Sequence, residues 1–512
     1  MSIENRSRLP RLIGVALFCL LVLTICASAQ EITGRLVGTV VDASAAAVPD
    51  ANVSATNQDT GIVTKTKTDG QGNFVFSTLP PGLYTIRVEA NGFRTAVAAD
   101  SQITVAGTSR VDVALQVGSL SESVVVKAES ALVQSASSDI SQSIEKQQVQ
   151  DLPLNGRIFS QLVNLVPGAV PAGNSDAPES ASGAGARSAI QSQVNGVNWS
   201  GTTYTLDGVS NAEPLNAFIN IAPPIEAIEE FSVQTSNPRA EFGTFGGAVV
   251  NVTLRSGTNE FHGSLFEYLR NQDLNARSFF AASKAPFKTN QFGGTIGGPI
   301  KKNKAFFFFD YQGLRLRQGV SYLINVPSAA MRQGFVLPSE GFATPYDPLS
   351  TSNTADVTPF PNNQVPQNRW DPVTRQVLDI WPKENIAPAR LGPFSNYFQN
   401  VSNSQTMNAF DVKADYQFER AGRLFIREST AGRTLDNNAP ANRFMSVDPD
   451  SNSRSHNAVI GHSVPIRPTL LNETRLGFNR FDTLDFGQDY GVAQNNTLGI
   501  KNGNLAAFQQ ST

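Results

Sequence analysis

The sequence is poor in sulfur, histidine and charge. Two cysteines and three histidines in 512 residues exclude a disulfide scaffold and a Cys/His zinc module. Charged residues make up 16%, against roughly 25% in an ordinary soluble domain. Forty Lys+Arg nearly balance 43 Asp+Glu, for a net charge of −3, so neither a basic nucleic-acid surface nor an acidic tail is present. Past the first thirty residues no apolar run approaches the ~20 residues of a membrane-crossing helix. Membrane residence would then require a closed β-barrel, the other structure that satisfies its own backbone in lipid. No Gly-x-Ser-x-Gly or P-loop occurs, and none of His262, His456 or His462 opens a zinc-peptidase motif. The glycine pairs of 293–298 run into Pro299 rather than a helix, and 448–452 lacks the glycine of a calcium loop. The expectation is a non-enzyme with no catalytic residues, no metal site and no cofactor.

What is there begins with a targeting signal. Arg6, Arg8 and Arg11 precede the apolar run 12–25, and Ala27-Ser28-Ala29 supplies small residues for cleavage. Residues 1–29 read as a signal peptide, with an uncleaved anchor disfavoured by the run's length. Both cysteines, Cys19 and Cys26, lie inside it.

Residues 31–118 read as a β-sandwich. Tyr84 to Ala90 and Arg110 to Val117 alternate apolar and polar residues, and 36–41, 51–56 and 62–68 are β-rich. Phe74, Phe76 and Tyr84 carry the pattern of core residues. Asp69-Gly70, Gly72-Asn73 and Pro80-Pro81-Gly82 supply turns. Residues 119–257 read as a small α/β unit. Ile140, Ile144 and Val149, then Ile158, Leu162 and Leu165, recur near helical spacing, and 171–192 is an Ala/Gly/Ser loop. Tyr204 to Val209 is a strand into a tight turn at Asp207-Gly208, where a turn aspartate is preferred over a metal ligand. Ile225 to Val233 is a short helix into a strand, on which Glu226, Glu229 and Glu230 read as solvated charge rather than acid/base groups.

From 258 to 512 the pattern is that of long strands. In Ala409 to Glu419 one face carries Phe410, Val412, Ala414, Tyr416 and Phe418, and the other Asp411, Lys413, Asp415, Gln417 and Glu419. An apolar face backed by charge fits a strand between lipid and a wet lumen. Asn472 to Asn479 and Asn290 to Gly298 repeat the idea less cleanly, Phe306 to Phe309 fits an interfacial aromatic girdle, and 325–400 suits a long loop.

These motifs carry resemblances. Gly38 to Asp42, Val48 to Val53, Thr68 to Phe74 and Leu79 to Tyr84 resemble, in order and spacing, the carboxypeptidase regulatory-like (CnaB-type, transthyretin-like) domain, grouped with carbohydrate-binding-like folds. Leu206-Asp207-Gly208-Val209, Ile225 to Val233 and Gly246 to Thr253 are similar to the plug of TonB-dependent outer-membrane receptors. Phe261 to Tyr268, Asn290 to Ile300 and Lys304 to Tyr311 resemble the barrel start of their Oar-like branch. The fold expected is mainly β: sandwich, α/β plug, then part of an antiparallel transmembrane barrel. The resemblance implies a signal peptide, an outer-membrane location in a Gram-negative bacterium, and sandwich and plug on the periplasmic side. It implies uptake of an extracellular ligand (glycan, siderophore, peptide or protein), powered by TonB and its inner-membrane complex, with no nucleic-acid partner. Ser121, Glu122, Ser123, Val124, Val125 and Val126 resemble a TonB box, and a last sandwich or first plug strand is the equal alternative. A family barrel has 22 strands and ends in an aromatic residue, so the chain reads as C-terminally truncated. The rival reading is a secreted or surface-attached β-sandwich adhesin or carbohydrate-binding protein, which should show further sandwich-sized repeats.

Overall fold

The computed structural model describes residues 33–105, 107–118, 123–127, 140–171, 192–213, 218–236, 246–277, 284, 286–351, 356–386, 396–419, 421–437, 450–467, 470–486 and 498–499. The expected signal peptide and the Ala/Gly/Ser loop interior lie outside these residues.

Among the described residues the N-terminal sandwich has nine strands: β1 (Gly34–Asp42), β2 (Asn52–Asn57), β3 (Val63–Lys67), β4 (Asn73–Leu79), β5 (Gly82–Glu89), β6 (Thr95–Ile103), β7 (Thr108–Arg110), β8 (Val113–Leu115) and β9 (Ser123–Lys127). One sheet runs β4-β1-β7 with β8 also on β1, and the other β3-β2-β5-β6-β9. Leu36, Val40, Phe74, Tyr84, Ile86, Val88 and Leu115 fill the space between them. Each such burial contributes about 1.5–3 kcal/mol. The expected strand Arg110–Val117 is broken in two. Asp112 takes the ladder position between the halves, its carboxylate accepting from Thr39 N (2.9 Å) and Thr39 Oγ1 (2.7 Å).

The central unit contains β10 (Ile140–Glu145), a helix at Lys146–Asp151, a 3-10 segment at Phe159–Leu165, and the strands β11 (Ala169–Pro171), β12 (Ser192–Val194), β13 (Thr203–Leu206), β14 (Val209–Ser210), β15 (Ile228–Ser236) and β16 (Val249–Leu254). Its main sheet runs β10-β15-β16-β13-β14, with β13 parallel to β16. Ile140 and Ile144, read above as helical, lie on a strand, because a spacing of four also places two residues on one strand face.

The C-terminal region is one antiparallel seven-stranded sheet: β17 (His262–Asn271), β18 (Phe287–Lys301), β19 (Ala305–Ile324), β22 (Tyr397–Gln417), β23 (Arg423–Asp436), β24 (Asp450–Arg467) and β25 (Leu470–Phe486). The pair β20 (Tyr346–Asp347) and β21 (Thr358–Pro359) lies in the 325–396 loop, with a helix at Pro372–Ile380. The strand ends flanking 302–304, 418–422 and 468–469 lie at one end of the sheet, and those flanking the longer separations 272–286, 325–396 and 437–449 at the other. β22 is inside-out by the standards of a water-soluble strand. Phe410, Val412, Tyr416 and Phe418 are 36–45% exposed, while Asp411, Lys413 and Asp415 are at most 7% exposed. Phe306 to Phe309 splits by the same alternation. Phe306 and Phe308 are buried, Phe308 in the core of the central unit, so only Phe307 and Phe309 remain for an outer girdle.

Candidate functional site between the central unit and the sheet

The site begins with a turn. Asp207 and Gly208 both have positive φ, 46° and 76°, which lets β13 reverse directly into β14. Asn, Asp and Gly tolerate this region best. The turn drives the Asp207 carboxylate against the inner face of the sheet. Lys413 Nζ on β22 lies 3.0 Å from Asp207 Oδ1 and donates to Leu254 O at 2.9 Å. Arg427 Nε on β23 lies 3.1 Å from Asp207 Oδ2 as an ion pair, without hydrogen-bond alignment. Its other nitrogens donate to Leu206 O (3.0 Å), Asn457 O (2.7 Å) and Ser429 Oγ (2.7 Å). Asp207, Lys413 and Arg427 side chains are 0–2% exposed, so water screens none of these charges.

Amides extend the seam. Asn457 Nδ2 donates to Ser210 O (2.9 Å), Asn479 Nδ2 to Ala212 O (2.9 Å) and Asn220 Nδ2 to Asn479 Oδ1 (2.6 Å). The apolar core of the central unit also takes in Phe308, Ala409 and Ala431 of the sheet. Toward the long-loop end, a cavity of about 60 Å³ opens between the two bodies. Arg157, Phe159 and Asn220 line it from the central unit, and Gln291, Gln312 and Gln405 from the sheet. The Arg157 guanidinium carbon stands 3.8 Å from the Tyr268 ring centre while its Nη2 pairs with Glu226 at 2.5 Å.

Of the three glutamates of 226–230, Glu226 and Glu230 are not solvated charge, while Glu229 stays 33% exposed. Ile225–Ala227 is a single 3-10 turn leading straight into β15, which turns Glu226 and Glu230 toward packed neighbours. Glu226 pairs with Arg157, Glu229 lies 3.7 Å from Arg255, and Glu230 accepts from Val105 N (2.8 Å) and from Ser143 Oγ. Val105 belongs to the sandwich, so Glu230 fastens that domain to the central unit. A second fastening joins the sandwich to the short-turn end of the sheet. Asn259 donates to Thr60 O (2.7 Å) and, through its backbone, to Asp59 O (3.0 Å), beside Asn303. Of the box-like segment, Ser121 and Glu122 lie outside the described residues, and Ser123 to Val126 fall within β9. The weighed metal ligand Asp207 is an ion-pair partner, and among the described residues no group of three or more His, Cys, Asp or Glu could hold a metal. Sequence reasoning placed Lys413 on a polar strand face but missed Arg427 and the partner both share.

Residues 253–512 match the outer membrane beta barrel domain. The chain belongs to that outer-membrane β-barrel family. The seven-stranded sheet is thus barrel wall, with the apolar face of β22 on its outside and the charged face within. Residues 35–116 match the carboxypeptidase regulatory-like domain. The TonB-dependent transporter Oar of Myxococcus xanthus is 30% identical over 326 residues, which is 59% of this chain and 28% of that protein. The chain therefore aligns with under a third of that relative's length. Among solved structures, the outer membrane transporter YddB from Escherichia coli is similar at a TM-score of 0.41 and 11% identity, covering 66% of this chain and 38% of that one. The siderophore receptor PirA from Pseudomonas aeruginosa is similar at 0.31 and 10%, covering 67% and 50%.

Proposed function

We propose that this chain is the energy-receiving portion of a TonB-dependent receptor. In this reading the central unit is the plug, held in the barrel by the Asp207, Lys413 and Arg427 charges. The long connections face the outside and the short ones the periplasm, following the usual asymmetry of outer-membrane barrels. An extracellular ligand enters from the long-loop end, where the cavity of Arg157, Asn220 and the three glutamines opens. TonB docks by strand addition near 121–126 and its pull dislodges the plug. The domain division is then a sandwich from 31 that runs past the expected boundary at 118 to take in β9, a plug from there to 257, and a barrel over 258–512.

The observation that carries the reading is the seam itself. It is built from ion pairs and amides between two bodies, joining residues such as Asp207 and Lys413 that are 206 apart in sequence, with a small shared apolar core. A contact of that kind can open into water and reform, because water replaces each polar partner it removes. An adhesin has no use for a charged body inside its sheet. The test is capture of the purified chain, in detergent micelles, on immobilised TonB periplasmic domain. Capture that disappears on deleting 121–126 supports the reading. Capture indifferent to that deletion, or none at all, removes it.

A further inference from the structure

The box-like segment is not a free tether. Ser123 to Lys127 of β9 pair in parallel with Thr95 to Ala99 of β6, from Thr95↔Ser123 through Val97↔Val125 to Ala99↔Lys127. β9 closes one end of the five-stranded sheet, and β6 is held on its other side by β5. β6 is itself fixed below the plug, because Val105, two residues past its end, donates to Glu230 of β15. Four of the six residues of the docking segment, Ser123 to Val126, are thus already in use as a sandwich strand.

This arrangement bears on docking. Strand addition uses the main-chain N–H and C=O groups of the added segment. Those bonded to β6 are withheld from any partner. Pairing also fixes the segment against the sandwich, which is fastened to the plug through Glu230 and to the short-turn end of the barrel through Asn259. A partner strand must lie along the segment over several residues, and a segment clasped in a domain at the barrel mouth offers one edge at most.

We propose that the sandwich is a gate on TonB docking: β9 is the box in a stored state, and it must leave β6 before TonB can take it. The inference rests on the TonB-box reading of 121–126. The apparent affinity for TonB then equals the intrinsic affinity scaled by the fraction of molecules with β9 released. Linkage makes the converse true as well, so TonB binding itself favours the released state.

The test locks the clasp. The chain's two cysteines, at 19 and 26, both precede the sandwich. The double variant Val97→Cys/Val125→Cys therefore places a redox-controlled bond across paired positions. Both forms are purified in detergent without residues 1–29, and capture on immobilised TonB periplasmic domain is measured oxidised and reduced. The reduced form of the same molecule is the folding control, and each single-cysteine variant controls for oxidation. The gate predicts capture at least about tenfold weaker when oxidised, restored by reductant. Equal capture in both states overturns the gate and leaves the box, since TonB would then be adding to the outer edge of β9. Capture in neither state, with wild type captured, is resolved by hydrogen exchange of 123–127: protection that persists on reduction supports the clasp, and its absence overturns the gate. If wild type too is not captured, the box reading fails and the gate falls with it.

Discussion

The Asp207 carboxylate and the Lys413 ammonium lie 3.0 Å apart across the seam between central unit and barrel wall, both withdrawn from water. Arg427 shares the same carboxylate. Removing Asp207 leaves two buried cations without the carboxylate they share, at a cost of about 3–5 kcal/mol, whereas removing Lys413 leaves Asp207 paired with Arg427 and costs less. Asp207→Asn and Lys413→Met should each lower the urea midpoint for loss of protease protection in the central unit. The double variant should recover at least about 1 kcal/mol relative to the sum, because the two changes remove one shared interaction. Additive losses in that double-mutant cycle would show that the pair is not coupled.

Asp310 makes the opposite prediction. It stands directly across from Asp411 on the neighbouring strand, fully buried, and neither of its carboxylate oxygens has a hydrogen-bond partner. Asp411 accepts from Ser429 Oγ beside Arg427, so its own charge is served. Two buried carboxyl groups opposed in this way cannot both carry charge without repulsion. Asp310→Asn keeps the shape, removes the opposition and supplies an N–H₂ donor toward Asp411. It should raise thermal stability in micelles by about 1 kcal/mol. A lowered melting temperature would mean that the Asp310 carboxyl is needed where it is.

Legibility in the sequence followed contrast. β22 was readable because its two faces keep opposite characters from Phe410 to Phe418, and a period of two has one structural meaning at that length. β6 was not readable. Its buried positions include Thr95, Ala96, Ala98 and Ser101, which are too small or polar to stand out from a loop. β10 gave two isoleucines four apart, a spacing that helices and strands share. The family blocks located Asp207 at a turn, yet nothing local announces that its partners lie on β22 and β23. A lumen cation and the carboxylate that neutralises it are joined only by tertiary packing, and the 206-residue separation leaves no pattern. Glu226 and Glu230 looked solvated for the same reason, since Arg157 and Val105 come from distant stretches.

The sandwich carries its own alkaline limit. Tyr84 is buried, its hydroxyl donates to Pro80 O at 2.9 Å, and burial pushes its phenol up to about 12. In the unfolded chain a phenol titrates near ~10. A folded-state value above the unfolded one means stability that is whole below pH ~10 and is lost as pH rises toward the folded value. Wild type should therefore lose sandwich stability between those limits. Tyr84→Phe should begin about 1 kcal/mol less stable at neutral pH, for the missing hydrogen bond, and show a shallower alkaline decline. Parallel alkaline profiles of the two proteins in urea titrations would contradict this.

The outward face of β22 offers the last test, since its residues differ from their neighbours by orientation alone. Val412 is 45% exposed, between the exposed Phe410 and the partly covered Ala414 on the same face, whereas Lys413 beside it points to the seam. A lysine at 412 would meet hydrocarbon if that face lies in a bilayer. The cost there is about 2–4 kcal/mol near the midplane and falls to about 0–1 near the interfaces. In lipid vesicles Val412→Lys should be destabilised by that larger amount. Val412→Leu, equally apolar, should be nearly neutral. In a water-soluble sheet the lysine would be free at an exposed strand position, within about 0.5 kcal/mol of wild type. The two environments thus differ by more than the error of a urea titration, and a neutral Val412→Lys in vesicles would place this face in water.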